Sequence, residues 1–180
     1  CKWDKPNRTL RTLNHSGVCF MPQANQAKWY SIRARAAAQG VKSAEILIYG
    51  DIGESWYGDS VLAKDFVKDI AALDAENITV RINSFGGSVS DGIAIHNSIT
   101  RHPAATTVVI DGIAASIASL IAMAGDTVEM AENALLMIHA PWGYASGNSA
   151  DMREFADMLD TWAQAMATSY ASKTGKSQED

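Results

Sequence analysis

Cysteine, proline and net positive charge are all scarce in this chain of 180 residues, and each shortage excludes a class of protein. The two cysteines, Cys1 and Cys19, lie near the N-terminus without the spacing of metal ligands, so the sequence predicts neither a metal site nor a disulfide framework. Four prolines and thirteen glycines are too few for a linker or a low-complexity chain. Twenty acidic against fifteen basic residues give a net charge of -5, which argues against nucleic acid as a partner.

Long hydrophobic runs are also missing. The longest weakly polar stretch, residues 113–125, is shorter than the ~20 apolar residues that a membrane span needs, so we predict no membrane segment. Residues 1–20 lack the continuous apolar core of a signal peptide. Because the two cysteines suggest no oxidised framework, a reducing cytoplasm is the expected location. We interpret residues 1–43 as an N-terminal leader, partly foreign or flexible, and residues 44–180 as one globular domain.

From residue 44 onward, short β-rich runs alternate with stretches of helical period, which predicts an α/β fold. The predicted strands are residues 45–50, 78–83, 106–110, 127–130 and 135–138. The predicted helices are residues 60–73, 89 to the turn before Pro103, 115–124 and 149–172. The last helix carries an apolar stripe, which we interpret as a core or subunit contact: Met152, Phe155, Leu159, Trp162, Met166 and Tyr170.

Three segments place reactive groups at strand ends, where open α/β sheets usually hold ligands. Residues 85–88 (FGGS) either form a tight turn or present backbone N–H groups to a negatively charged oxygen. Ser116 is either a residue that caps or fills a helix contact, or a nucleophile at a helix N-terminus. His139 is either a hydrogen-bonded strand-end residue or a general base for that serine, and sequence spacing alone does not show such a contact. We exclude a P-loop at residues 174–177, because its first glycine would fall on Tyr170 within a helix.

Three segments together resemble, in order and spacing, the Clp protease proteolytic subunit family. They are residues 83–89 (NSFGGSV), 112–116 (GIAAS) and 137–141 (MIHAP). Residues 174–177 (TGKS) are also similar to the family's segment after its long helix. Within the family, residues 49–53 (YGDIG) and Phe85, where housekeeping members usually carry proline, resemble the phage and prophage branch of head-maturation proteases.

The resemblance implies a ClpP/crotonase-like fold of stacked β-β-α units with a protruding handle helix, and a serine endopeptidase without metal or cofactor. It implies Ser116 as nucleophile, His139 as general base and the N–H groups of Gly87 and Ile117 as oxyanion hole. Substrate would bind as an added strand beside two segments. These hold the expected binding residues Gly86, Gly87, Ser88, Val89, Pro141, Trp142 and Gly143.

The resemblance also implies protein or peptide substrates and a homo-oligomeric ring of six or seven subunits, single or stacked. The leading hypothesis is a phage or prophage head-maturation protease that acts on capsid or scaffold protein in the prohead or bacterial cytoplasm. The alternatives are a housekeeping Clp subunit that works with an AAA+ ATPase, and a catalytically inactive ring-forming module. The family's triad acid is expected beyond Asp180, so no residue here is assigned that role.

Overall fold

A computed structural model describes residues 29–36, 42–53 and 63–178 of the chain. Within these ranges a six-stranded sheet carries helices that cross between its strands. The strands are β1 (Tyr30–Ala36), β2 (Lys42–Tyr49), β3 (Asn77–Ser84), β4 (Ala105–Ala115), β5 (Thr127–Met130) and β6 (Leu135–Met137). The helices are α1 (Ala63–Ala71), α2 (Val89–Thr100), α3 (Ile117–Ala122) and α4 (Ser149–Thr174). None of the described helices is both long and apolar enough to cross a membrane.

The sheet order is β1-β2-β3-β4-β5, and β6 pairs with β4. All pairs are parallel except β1 with β2. Each parallel neighbour is reached through a helix, as the alternating sequence pattern predicts, so the α/β fold class is confirmed.

The core lies between one sheet face and the first three helices. Every second residue of the central strands points into it, and these residues are mostly β-branched, which suits a parallel sheet covered by helices. Ile46, Val80 and Val108 represent this face, and Phe66 of α1 and Ile95 of α2 cover it. All six residues of α3 are buried, so the small side chains of that helix serve close packing.

The sheet begins earlier than the sequence indicates. The predicted boundary at residue 44 falls inside β2, and β1 pairs antiparallel with β2 from Tyr30 opposite Ile48. Trp29 and Tyr30 are buried and both rings contact Phe66, at centroid distances of 5.7 and 5.0 Å. The leader interpretation therefore does not hold for residues 29–36, whereas residues 1–28 lie outside the described part of the chain.

β4 is five residues longer at its end than the predicted strand 106–110. Its register with β3 shifts between the pairs Ile82–Ile110 and Ser84–Ala114, so β4 contains extra residues around Asp111 and Gly112. This is a β-bulge, where the sequence suggests a turn. Beyond the bulge β4 leaves β5 and pairs with β6 through Ile113–Ala115.

Candidate active site

Ser116 lies at the junction of β4 and α3 in an unusual backbone conformation. Its φ of 54° and ψ of -130° make it the one non-glycine residue with positive φ in the described ranges. Such a conformation costs about 1–3 kcal/mol for a residue with a Cβ atom, and it persists only where the surroundings impose it. The turn is sharp, and it leaves the Ser116 side chain half-exposed directly after the buried Ala114 and Ala115 at the end of β4.

His139 reaches Ser116 because β6 lies directly beside the end of β4. Ala115 is paired with Met137, and the Ser116 N–H donates to the Met137 carbonyl at 2.9 Å. Two residues further along, Nε2 of His139 lies 2.8 Å from Oγ of Ser116. The structure thus brings together the two side chains that sequence spacing could not connect, within the distance at which an imidazole accepts a hydroxyl proton.

The glycine pair packs against this serine. Gly86 has φ of 102°, and a Cβ atom built on it would lie 2.7 Å from Cβ of Ser116 and 3.2 Å from the Ile117 nitrogen. Only a glycine therefore fits at residue 86, both for its backbone conformation and for the space beside the hydroxyl. Ser84 supports the turn from below, because its hydroxyl donates to the Gly50 carbonyl at 2.6 Å and accepts from the Gly86 N–H at 3.1 Å.

Gly87 presents its backbone polar groups away from the sheet. The Ile52 N–H donates to the Gly86 carbonyl, and the Ile52 carbonyl accepts from the Ser88 N–H, both at 2.8 Å. In such a parallel bridge the N–H and carbonyl of the middle residue point to the opposite side. Within the part of the chain that the structure describes, neither the Gly87 nor the Ile117 N–H has a hydrogen-bond acceptor. Two free amides from segments in contact with Ser116 are the ingredients of an oxyanion hole.

The two expected substrate-binding segments differ in how open they are. Gly87 is exposed and Ser88 is still extended, but Val89 is the first residue of α2, and the Ser88 hydroxyl caps that helix. The extended backbone of this segment therefore ends at Ser88, and the role of Val89 in substrate binding stays a prediction. On the other side, Trp142 and Gly143 are exposed and have no backbone partner among the described residues, and Pro141 is half-buried.

Aromatic side chains flank the site on the exposed side. Trp142 packs edge to face on Tyr144, with ring centroids 5.5 Å apart, and Phe85 beside the glycine pair is 73% exposed. Large exposed aromatic rings next to a free backbone edge are suited to contacts with the side chains of an extended peptide.

The nearby acidic residue Asp111 is engaged elsewhere. Its carboxylate accepts from Arg81 in a two-pronged ion pair and from the Tyr49 hydroxyl at 2.6 Å. That hydrogen bond raises the pKa of Tyr49, and the same carboxylate raises the pKa of Arg81. In the described ranges no side chain is hydrogen-bonded to Nδ1 of His139, and no group of three or more His, Cys, Asp or Glu residues is arranged to bind a metal.

Two residues near the site were not identified from the sequence. Ser119 donates from its hydroxyl to the Ser116 carbonyl at 2.5 Å, and the Tyr170 hydroxyl lies 2.7 Å from the same Ser119 oxygen. Tyr170 is a member of the apolar stripe on α4, so its hydroxyl was overlooked. The sequence did offer a signal for this contact: Tyr170 carries a hydroxyl within an otherwise hydrophobic row, and a buried tyrosine hydroxyl needs a hydrogen-bond partner.

Comparisons with known proteins point to one family. The profile of the Clp protease family matches residues 25–180. An ATP-dependent Clp protease proteolytic subunit of Leuconostoc citreum is 31% identical over 144 residues, which cover 76% of this chain and 67% of that protein. The subunit of the same name from Ligilactobacillus salivarius is 32% identical over 66% of this chain, and the match spans only 60% of the relative's length.

A solved structure has the same fold. A mutant of ClpP1 from Listeria monocytogenes superimposes with a TM-score of 0.62 and 29% sequence identity, covering 74% of this chain and 73% of that one. The family profile spans most of the sequence, and the three segments that meet at Ser116 all lie inside it. The chain therefore belongs to the Clp protease family.

Proposed function

We propose that this protein is a serine endopeptidase of the ClpP type. Ser116 is the nucleophile, His139 is the general base, and the N–H groups of Gly87 and Ile117 form the oxyanion hole. The observation that carries the proposal is the 2.8 Å contact between Oγ of Ser116 and Nε2 of His139 at a serine with φ of 54°. A purely structural serine would need neither the strained backbone nor an imidazole as its partner.

The proposed reaction has two halves. Oγ of Ser116 attacks the scissile carbonyl carbon while Nε2 of His139 takes the hydroxyl proton, and the carbonyl oxygen becomes an oxyanion stabilised by the two amides. His139 then returns the proton to the leaving amine, which leaves an acyl group on Ser116. A water molecule, deprotonated by His139, attacks the acyl carbon, and the carboxylic acid departs as Oγ regains its proton.

A fluorophosphonate probe tests this assignment directly, because it labels only activated serine nucleophiles. We expect labelling of the full chain that is lost in Ser116→Ala and strongly slowed in His139→Gln. Ser98→Ala is the matched control, since Ser98 is a buried serine in α2 whose hydroxyl donates a hydrogen bond to the Ile95 carbonyl. Labelling that persists in Ser116→Ala, or its absence in correctly folded wild-type protein, would contradict the proposal.

The biological setting has two candidates. The relatives are named ATP-dependent Clp protease proteolytic subunits, which favours a housekeeping subunit of that kind. In this setting we propose that the protein works with an AAA+ unfoldase in the bacterial cytoplasm. The phage or prophage head-maturation setting is supported by residues 49–53 and Phe85. Degradation of a folded protein only with an unfoldase and ATP supports the first setting, whereas ATP-independent cleavage of a capsid or scaffold protein supports the second.

Ring assembly is part of the proposal and is supported by the exposure of α4. Of the stripe on this 26-residue helix only Met166 is buried, and Phe155, Leu159 and Trp162 remain half-exposed. A partly exposed apolar row of this length is typical of a subunit contact. We expect a ring of six or seven subunits, single or stacked, and a monomer in light scattering of the full chain would contradict it. An inactive ring-forming module would assemble in the same way but would fail the labelling test.

A further inference from the structure

We infer that Ser119 and Tyr170 are positioning residues that aim the Ile117 N–H at the oxyanion. The inference rests on the proposed peptidase function and adds a component to it. Neither residue touches the reacting atoms; both act through the backbone of Ser116.

The two hydroxyls form a chain with a defined direction. The Ser119 hydroxyl carries one hydrogen, and it donates that hydrogen to the Ser116 carbonyl at 2.5 Å. The Tyr170 hydroxyl, 2.7 Å from the Ser119 oxygen, must therefore be the donor in the second bond. Each bond polarises the next, so the Ser116 carbonyl is held more firmly than by one isolated hydroxyl.

The Ser116 carbonyl and the Ile117 N–H belong to one rigid unit. A peptide bond is planar, and in the trans form its carbonyl and N–H point in opposite directions. The described residues contain no cis peptide bond. Whatever fixes the direction of the Ser116 carbonyl therefore fixes the direction of the Ile117 N–H, which points away from Ser119.

The carbonyl is fixed from two sides by the same residue. The Ser119 N–H donates to it at 3.0 Å, in addition to the Ser119 hydroxyl. These bonds also hold the ψ angle of Ser116 at -130°, outside the helical value that the following residues adopt. We call the hydrogen-bond chain from Tyr170 through Ser119 to the Ser116 carbonyl the relay. The relay thus contributes to maintaining the strained backbone conformation of Ser116.

The outer end of the relay is well anchored. Ser119 is fully buried, and burial raises the pKa of the Tyr170 phenol, so that phenol remains a neutral donor. One turn along α4, Lys173 donates to the carbonyls of Gly125 and Asp126, which ties the end of the helix to the segment between α3 and β5. Tyr170 is therefore held by its own bond to Ser119 and by the attachment of α4 one turn later.

Tyr170→Phe and Ser119→Ala test the inference on a short fluorogenic peptide, with rates expressed per active site titrated by fluorophosphonate. Loss of a whole oxyanion donor lowers kcat by about 10²–10³-fold, so a donor that is misdirected should cost less: about tenfold in Tyr170→Phe and about thirtyfold in Ser119→Ala. Since the interaction acts only in the transition state, kcat and kcat/KM fall together and KM stays unchanged.

Two further measurements separate positioning from general stability. Affinity for a peptide boronic acid, whose tetrahedral adduct places an oxygen in the oxyanion hole, should fall in parallel with kcat. The double variant should be no slower than Ser119→Ala, because Tyr170 acts through Ser119. Ser98→Ala and Tyr30→Phe are matched controls: each removes a hydroxyl that donates a hydrogen bond, to the Ile95 carbonyl or the Asp69 carboxylate, and each should keep wild-type kcat.

Failure of the positioning inference and failure of the proposed function give different results. An active wild-type protein whose Tyr170→Phe and Ser119→Ala variants keep wild-type kcat per active site, or lose no more than the two controls, overturns the inference alone. A wild-type protein that neither labels at Ser116 nor hydrolyses peptides overturns the proposed function and this inference with it. Additive losses in the double variant would also contradict a relay.

Discussion

Replacing Gly86 by alanine tests whether the glycine pair really lies against the nucleophile. The new methyl carbon would be 2.7 Å from Cβ of Ser116 and 2.8 Å from the Ala115 carbonyl oxygen, and the residue would be held at φ of 102°. Neither close neighbour is the far end of a flexible side chain, so the glycine segment and the end of β4 must move apart. The substitution therefore perturbs both the stability of the fold and the geometry of the site.

The loss of folding stability and the loss of activity in Gly86→Ala can each be estimated from the structure. Crowding in a packed site costs about 1–3 kcal/mol, and a positive φ on a residue with a side chain costs about 1–3 kcal/mol more, so Gly86→Ala should lower the free energy of unfolding by about 2–6 kcal/mol. The two Cβ atoms must also separate by roughly 0.7 Å to reach ordinary contact. Because a misplacement of about 1 Å can cost 10²-fold in rate, we expect kcat to fall by about 30- to 100-fold.

Two other glycines provide matched controls. A Cβ atom on Gly125 would meet Val108 and the Thr127 carbonyl at 2.7 and 2.8 Å, which is nearly the same crowding, and Gly125→Ala keeps the carbonyl that accepts from Lys173. A Cβ atom on Gly50, with φ of 124°, would meet only Trp29 at an ordinary 3.7 Å. Gly125→Ala thus measures the crowding and Gly50→Ala the backbone strain.

Urea unfolding of all three variants and peptide hydrolysis per titrated active site are the assays. The stability loss of Gly86→Ala should approach the sum of the two control losses, and only Gly86→Ala should combine that loss with a large fall in kcat. Gly86→Ala protein with wild-type kcat, or with the stability of the wild type, would refute the placement of the glycine pair against Ser116.

Two further predictions follow from the backbone and from the buried tyrosines. Ser116→Gly should be more stable than Ser116→Ala by about 1 kcal/mol in urea unfolding, because glycine adopts a φ of 54° without steric cost; equal stabilities would contradict strain at this position. Burial raises the pKa of Tyr170. Burial and, to a smaller extent, the hydrogen bond to Asp69 raise the pKa of Tyr30. Both tyrosines therefore ionise at a lower pH in the unfolded chain, where the tyrosine pKa is about 10, than in the folded protein. The free energy of unfolding is therefore unaffected by them below pH ~10 and falls as pH rises from there towards the folded-state values. Urea unfolding at a series of pH values above pH ~10 should show that the free energy of unfolding falls less steeply with pH in Tyr30→Phe and in Tyr170→Phe than in wild type. The same dependence on pH in all three proteins would contradict the reasoning.

The regular elements of the domain follow the local sequence closely, because each has a clear hydrophobic period and a clear stop. Predicted strand 127–130 coincides with β5, and the predicted helix ending before Pro103 is α2. β1 was missed although its seven residues (YSIRARA) alternate apolar and polar side chains, which is the period of a strand with one buried face; the alanines and arginines give it a weak β propensity. Its pairing depends on β2, which lies later in the chain, and local propensity carries no information about that partner.

The active site was predictable in its parts but not in its assembly. Small residues before Ser116 and the glycine pair both indicate unusual backbone, and each feature is local. The contact between Ser116 and His139 depends on β6 pairing with the last three residues of β4, a register that only the folded sheet fixes. Asp111-Gly112 has the composition of a turn, and the neighbouring strands force it into a bulge instead.

The bulge at Asp111 and Gly112 divides β4 into two parts with different pairing partners. Before the bulge, β4 pairs with β3 and β5; after it, β4 pairs with β6 and, through Ala114, with Ser84 of β3. Ser116 and His139 follow the paired ends of β4 and β6, so inserting or removing a residue at Asp111-Gly112 would shift them together relative to the glycine pair that follows β3. Such a change would leave the hydroxyl and the imidazole in contact and would alter the distance from both to the proposed oxyanion donor of Gly87.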